Sequence, residues 1–375
     1  MAVKHRRRYQ SWREHHPYIF YDEFGKQPSK IELQLGYALI PLADKEKDAP
    51  LLEEISYVSK QIDAEYGLPL PHVRFRDNLC IEPGEYRILL SGTDMGGSNV
   101  YGAVFVWCFP TDKVKVPIEW TKIKEPVSGR EAILIDKDKE RKAIELGYEV
   151  IEPSIIIRMH FYEIIKQHIT MLLDQCMVNN LVEKVRKINP DVVSYVFHIN
   201  NFSVSELKLI LTLLLEEDVS IRDMNTILET IADYIPDDLK PYELAEKIRQ
   251  RLAISFISKY LEDDEKLHLI KVSQPVSEKL AELAYYPDTK VDLPYCALDP
   301  PTRRKFLKGV TAAISLMKGK HYKPVLVCVS TIRLLLYEAI HREMPEVLIV
   351  SDMELLACKQ AFSLILEGEL NFNDE

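Results

Sequence analysis

Residues 220–234 read Ser-Ile-Arg-Asp-Met-Asn-Thr-Ile-Leu-Glu-Thr-Ile-Ala-Asp-Tyr. Ile221, Met224, Ile227, Leu228 and Ile231 recur at three and four, which lays one apolar stripe along a helix. Ser220 with Asp223 three residues later predicts the helix start, a hydroxyl and a carboxylate satisfying its first amides. The opposite face carries Arg222, Asn225, Thr226, Glu229 and Asp233. Taken as residues, this is an amphipathic helix with a polar face and no more.

Its neighbours are helical too, from Asp174 to about Tyr260. Leu181, Val182, Val185 and Ile188 form one stripe, ended by Pro190. Ser203 and Glu206 make a capping box before Leu207, Ile210, Leu211 and Leu214. Leu244, Ile248, Leu252, Ile254 and Ile257 complete the group. Short helices joined by tight turns predict antiparallel, superhelical packing. Beyond about Ile270 the pattern changes to α/β. Helices near 277–284 and 302–317 precede a strand at 325–329, a helix at 332–340 and a strand at 347–350. Residues 367–375 read as an acidic, frayed end.

Toward the N-terminus, residues 1–30 read as a charged linker. Ile31, Leu33, Leu35, Tyr37 and Leu39 alternate as a strand. Leu51, Ile55, Val58, Ile62 and Tyr66 follow at helical spacing, with Gly67 placed for a left-handed C-terminus. Leu79 and Ile81 before Pro83-Gly84, then Tyr86, Ile88 and Leu90 after it, predict a hairpin. Residues 92–102 read as a glycine-rich loop. A β-rich piece follows: Val104, Val106 and Cys108 alternate, as do Val114, Val116 and Ile118, and 132–135 is a short apolar run. A charged helix over 138–146 stops at Gly147. Val150 and Ile151 suggest a strand returning to the first module, and Ser154 a cap for a helix reaching about Leu173. The fold class predicted is α/β multi-subdomain: an α/β first subdomain (31–96 and 150–172) with a small inserted β-rich subdomain (97–149), a helical subdomain (173–265) and a C-terminal α/β subdomain (266–375).

The 375 residues are 47% hydrophobic and 28% charged, enough for two or more cores. No run approaches the roughly 18 apolar residues that span a bilayer, and Met1 leads into Lys4, Arg6, Arg7 and Arg8 rather than a signal sequence. Six scattered cysteines at no metal-ligand spacing suit buried thiols in the cytoplasm. The net charge of −10 is uneven: residues 1–30 hold seven basic and three acidic residues, net +4, and the rest carry −14. An acidic body argues against nucleic acid as a partner. The basic start fits a vector-derived relic, a solubilising tail or a segment lying on anionic lipid.

No motif supports catalysis, a cofactor or a metal. Residues 92–97 match neither dinucleotide-binding nor P-loop spacing. Gly319-Lys320 follows a helix, and His321 stands where a phosphate loop needs Ser or Thr. Ser330 sits between a strand and a helix but lacks the glycines of a nucleophile elbow; helix capping explains it better. His160 and His168 are eight apart, not four. The alternatives left open are a nucleotide-dependent enzyme using the C-terminal α/β unit, and a monomeric cytosolic adaptor.

Four strings then carry a resemblance. Residues 35–42, Leu-Gly-Tyr-Ala-Leu-Ile-Pro-Leu, are similar to "GYALIPLVD"; 73–79 and 85–88 to "VRIRDNL…YRI"; 146–154 to "LGYTVVDPST"; and 219–234, VSIRDMNTILETIADY, matches a fourth block. In this order they resemble the cytoplasmic half of the type III secretion export-gate family, the flagellar and injectisome export-pore proteins. The resemblance implies four subdomains and a homo-oligomeric nine-subunit ring at the cytoplasmic face of the bacterial inner membrane. It also implies partners: chaperone–substrate complexes, a gatekeeper, the export ATPase complex with its stalk, and the other membrane proteins of the export apparatus. Ring contacts would fall on Arg222, Asp223 and Glu229. A partner cleft between the first two subdomains would fall on Glu125, Ser128, Arg130 and Ile155. There the flagellar pattern partly fails: its Asp-Pro is Glu125-Pro126, its aromatic falls at Ser128 and its Thr at Ile155, which implies an injectisome member.

Overall fold

The computed structural model describes residues 29–44, 46, 48–112, 114 and 121–372. The linker up to residue 28, the run through Val116 and Ile118, and the last three residues lie outside the described residues. The chain divides into two compact units, Met1–Leu172 and Leu173–Glu375.

The first unit opens with β1 (Ile31–Leu35), which stops four residues earlier than the alternation predicts, because Gly36 leads into a 3-10 turn containing Pro41. A Cβ on Gly36 would lie 2.1 Å from the Glu82 carbonyl oxygen. Helix α1 (Pro50–Tyr66) ends as expected at Gly67, whose φ of 74° puts it in the left-handed region. It crosses over to β2 (Val73–Asp77), parallel to β1; β3 (Glu85–Leu90) lies antiparallel on β1's other side.

Pro83-Gly84 is therefore not a hairpin turn. The hairpin comes one strand later, at Ser91 and Gly92, both with positive φ, and the expected loop is β4 (Thr93–Asn99). Its glycines are steric requirements: a Cβ on Gly97 would sit 2.2 Å from the Tyr86 carbonyl oxygen. The sheet order is β2-β1-β3-β4.

A second sheet, β6-β7-β5-β8, is built from β5 (Phe105–Phe109), β6 (Thr121–Lys124), β7 (Glu131–Asp136) and β8 (Glu149–Ile151), with the short helix α2 (Glu140–Glu145) before β8. β8 pairs with β5 through Trp107 and Cys108, so it belongs to this sheet and does not return to the first. Helix α3 (Pro153–Gln167) begins with Pro153 at its first position; Ser154 is buried within the first turn and is not its cap.

The second unit begins with helices α4 (Gln175–Arg186), α5 (Val204–Glu216), α6 (Met224–Tyr234) and α7 (Pro241–Ile257). The Ser203–Glu206 capping box forms as expected. Ile188 falls past the end of α4 and is 79% exposed, outside the buried stripe to which its spacing assigned it. A π-helical stretch, Ser194–Ile199, connects α4 to α5.

A four-stranded parallel sheet follows, β13-β12-β9-β14. Its parts are β9 (Lys266–Val272), α8 (Gln274–Glu282), the small ribbon β10 (Ala284–Tyr285) and β11 (Tyr295–Cys296), α9 (Pro300–Gly319), β12 (Val325–Cys328), α10 (Arg333–Ile340), β13 (Leu348–Ser351), α11 (Asp352–Cys358) and β14 (Ser363–Leu370). The β12-α10-β13 unit is the expected strand-helix-strand. Of the expected frayed end, residues 367–370 instead close β14, which pairs with β9 from Ser363 to Leu370 and puts Leu370 in the core.

Candidate docking groove and association face

The inserted sheet of the first unit turns sharply between β6 and β7. Glu125 is only 3% exposed, and both its carboxylate oxygens are spent on its own loop. Oε1 accepts the Val127 amide at 2.7 Å; Oε2 accepts the Ser128 amide and hydroxyl, each at 2.6 Å. The Glu125 amide donates to Arg130 O, and Gly129, at φ 68°, donates back to Glu125 O. Arg130 bonds Glu149 Oε2 at 2.6 Å and lies 4.2 Å above the Phe109 ring. The loop is thus fixed by its own carboxylate, and it lifts Val127 outward, 39% exposed.

Val127 forms one wall of a groove of about 250 Å³ with Tyr57, Gln61, Arg158, Met159, Tyr162 and Glu163 from α1 and α3. Arg158 pairs with Glu54 at 3.0 Å and lies 5.4 Å from the Tyr57 ring centroid. Tyr162 donates to Glu65 at 2.7 Å. The walls are preorganised aromatic and thioether surface beside the Glu54-paired Arg158 and Glu163, suited to an apolar side chain.

Of the residues singled out by sequence, Glu125, Ser128 and Arg130 are brought together as the loop's internal brace rather than as groove walls. Ile155 is half-buried in the first turn of α3, outside the lining. Sequence reasoning missed Tyr57, Met159 and Tyr162: Tyr57 lies off the apolar stripe of α1, and no motif marks the other two. It also missed the Tyr86 hydroxyl at 2.7 Å from His160 Nδ1, a pairing 74 residues apart with no local signal. Burial holds His160 below the usual imidazole range, against the pull of Glu125, and burial with the Glu125 charge pushes the Tyr86 phenol up.

In the second unit, α6 starts three residues later than expected. Asp223 is its cap, accepting the Thr226 amide at 3.0 Å and hydroxyl at 2.7 Å, while Ser220 Oγ accepts only the Arg222 amide. Glu229 is half-buried and accepts from Asn225 at 2.9 Å and Asn189 at 3.2 Å. Of the three expected contact residues, Arg222 and Asp223 are exposed and Glu229 is half-buried; Asp223 is spent on the cap and Glu229 on the two carboxamides. Beside this helix lie exposed apolar residues, Ile188, Tyr195 and Ile199.

The flagellar biosynthesis protein FlhA of Helicobacter pylori is 31% identical over 329 residues, covering 87% of this chain and 44% of that protein. FlhA of Bacillus subtilis is 29% identical over 327 residues, covering 87% and 48%. The chain spans about half the length of the curated relatives it matches. Among solved structures, CdsV of Chlamydia pneumoniae superposes with a TM-score of 0.78 at 18% identity, over 93% of this chain and all of that one. A nonameric SctV-C from EPEC gives 0.69 at 16%, over 92% and 99%. These two share the fold. The sequence model of the FHIPEP family matches residues 11–360, through both compact units, and the chain belongs to that family.

Proposed function

We propose that the chain is the cytoplasmic part of a type III secretion export gate, a ring-forming platform that docks partners and passes substrates to a channel in the inner membrane. Family membership supports this, as do relatives about twice its length. No helix among the described residues is long and apolar enough to cross a membrane, so membrane-embedded parts would belong to the remainder of a longer protein. A nine-copy ring built through residues 173–265 is supported by the string 219–234 and by the nonameric state of the SctV-C neighbour. Chaperone–substrate complexes and the gatekeeper are the proposed occupants of the groove. The export ATPase stalk is a further proposed partner; the neighbour CdsV has been solved as a complex with CdsO.

The observation that carries docking is the Glu125-braced loop holding Val127 over Tyr57, Met159 and Tyr162. Ser128, its hydroxyl committed to Glu125, stands where the flagellar pattern has an aromatic, and on this departure we propose an injectisome member. We divide the chain into four subdomains, with the inserted one extended to Ile151 because β8 pairs in its sheet.

Light scattering across a concentration series tests the ring, on the chain alone and within the full-length membrane protein. A species of about nine copies, dissociated by Arg222→Glu, supports it; monomers in both settings overturn it. Pull-down of secretion chaperone–substrate complexes tests the groove. Val127→Asp and Met159→Asp are expected to abolish capture, and undiminished capture by both would remove the groove from the reading.

A further inference from the structure

His268, on β9, is 6% exposed, and both its ring nitrogens face carboxylates. Nδ1 lies 2.6 Å from Glu367 Oε1 on β14; Nε2 lies 3.3 Å from Asp264 Oδ2, in the turn that joins the helical part to the sheet. The Tyr322 ring stacks on the imidazole at 3.8 Å. The remaining charges are Lys320, bonded to the second oxygen of Glu367, and Lys266, 3.3 Å from Asp264. The strand bulges between Leu366 and Gly368, which re-aims Glu367 toward the histidine. Hydrogen bonds from Lys320 and then His268 hold Glu367 below the usual carboxylate range. Burial works against Asp264, yet the Lys266 amide and His268 hold it low as well.

A neutral imidazole has one N–H; the imidazolium has two. With ionised carboxylates on both sides, only the imidazolium makes both contacts. In the neutral ring the proton stays on Nδ1, on the shorter bond to Glu367, and the Nε2 lone pair then faces a carboxylate oxygen. We propose that His268 is a proton-operated latch: charged, it closes the turn at residues 262–265 onto the sheet, and on losing its Nε2 proton it releases that turn while keeping β14. The turn is otherwise held by few bonds: Glu265 N–H to Glu262 O at 2.9 Å, Glu262 N–H to Lys266 O at 3.1 Å, Lys266 N–H to Asp264 Oδ1 at 3.1 Å, and Glu262 Oε1 accepting the Lys323 amide at 2.7 Å. The release would loosen the turn that joins the helical part to the sheet on the alkaline side; the range to scan is about pH 5 to 8, where histidines in general change charge.

Hydrogen–deuterium exchange of the full chain across that range, corrected for the intrinsic pH dependence of exchange, tests this. The His268 ring would be followed by carbon-13 NMR and assigned by its absence in His268→Gln. Protection at 261–267 is expected to fall about tenfold as His268 loses its proton, with β14 unchanged. In Asp264→Asn the step should vanish, because the carboxamide can donate to the neutral ring; circular dichroism checks that the variants fold. A turn whose protection ignores the His268 titration, or a step that survives in Asp264→Asn, overturns the latch.

Discussion

Arg333 lies fully buried and donates two hydrogen bonds to Glu217, at 2.6 and 2.9 Å, across 116 residues of sequence. The same guanidinium bonds Glu246 through Nε at 2.6 Å. Arg249, 1% exposed, bonds Glu354 at 2.8 Å and places Nη1 3.0 Å from Glu217, an ion pair without a well-aimed hydrogen bond. Glu217 and Glu246 come from the helical part of the unit, Arg333 and Glu354 from the sheet part. This network places buried charge at the junction of the two.

Truncating one partner leaves the others buried and uncompensated. Arg333→Met is expected to cost about 3–5 kcal/mol in urea unfolding. Replacing Arg333, Glu217 and Glu246 together by apolar residues of similar volume should cost far less. Equal losses in both variants would show that packing, not charge, holds this junction.

Acid should weaken the same network with a defined sign. Burial would raise Glu217, but Arg249 and Arg333 reverse it and hold its carboxyl below the ordinary 4.5. Its contribution is therefore complete above pH 4.5 and lost as pH falls below that value. Glu246 is raised, burial outweighing Arg333, and so contributes with the opposite sign. Unfolding free energy measured from pH 6 downward should fall less steeply in Glu217→Gln than in the parent.

Removing the carboxylate that braces the β6–β7 loop is expected to free it locally. Glu125→Ala leaves three donors without their acceptor, costing about 1–3 kcal/mol. Amide exchange at Val127 and Ser128 should accelerate, while that of α3 should not.

Gly97→Ala tests whether β4 needs glycine. The added Cβ meets the Tyr86 carbonyl at 2.2 Å, so strand or partner must shift, and thermal unfolding should report a loss of about 1–3 kcal/mol or more.

Cap and contact roles separate at adjacent residues. Asp223→Ala should cost about 1 kcal/mol through the lost cap, whereas Arg222→Ala, on an exposed side chain, should stay within about 0.5 kcal/mol. Parallel unfolding curves of the two variants check this.

Much of this fold is written locally. The helix ending at Gly67, the capping box at Ser203 and Glu206, and the continuous apolar runs at 325–329 and 347–350 each depend on neighbours within a few residues. The four family strings are equally local, and they carried the family assignment. Readings failed where the deciding partner is distant. Residues 93–99 lack the apolar side chains that announce a strand, and their glycines make sense only beside the Tyr86 backbone. Glu229 reads as free surface charge because the Asn189 carboxamide that donates to it stands 40 residues away and cannot be placed from spacing alone.

The sequence by itself determined the helical and α/β segments, the Gly67 helix end, the Ser203 capping box, and membership of the FHIPEP family, since periodicity, capping chemistry and motif order are properties of short stretches. Only the tertiary structure decided which charges are spent internally, which side chains wall the groove, and that β14 closes the sheet beside β9. Those outcomes rest on strand pairing and burial between residues up to 116 positions apart, where the free energy of a charge or glycine is set by atoms that no local pattern names.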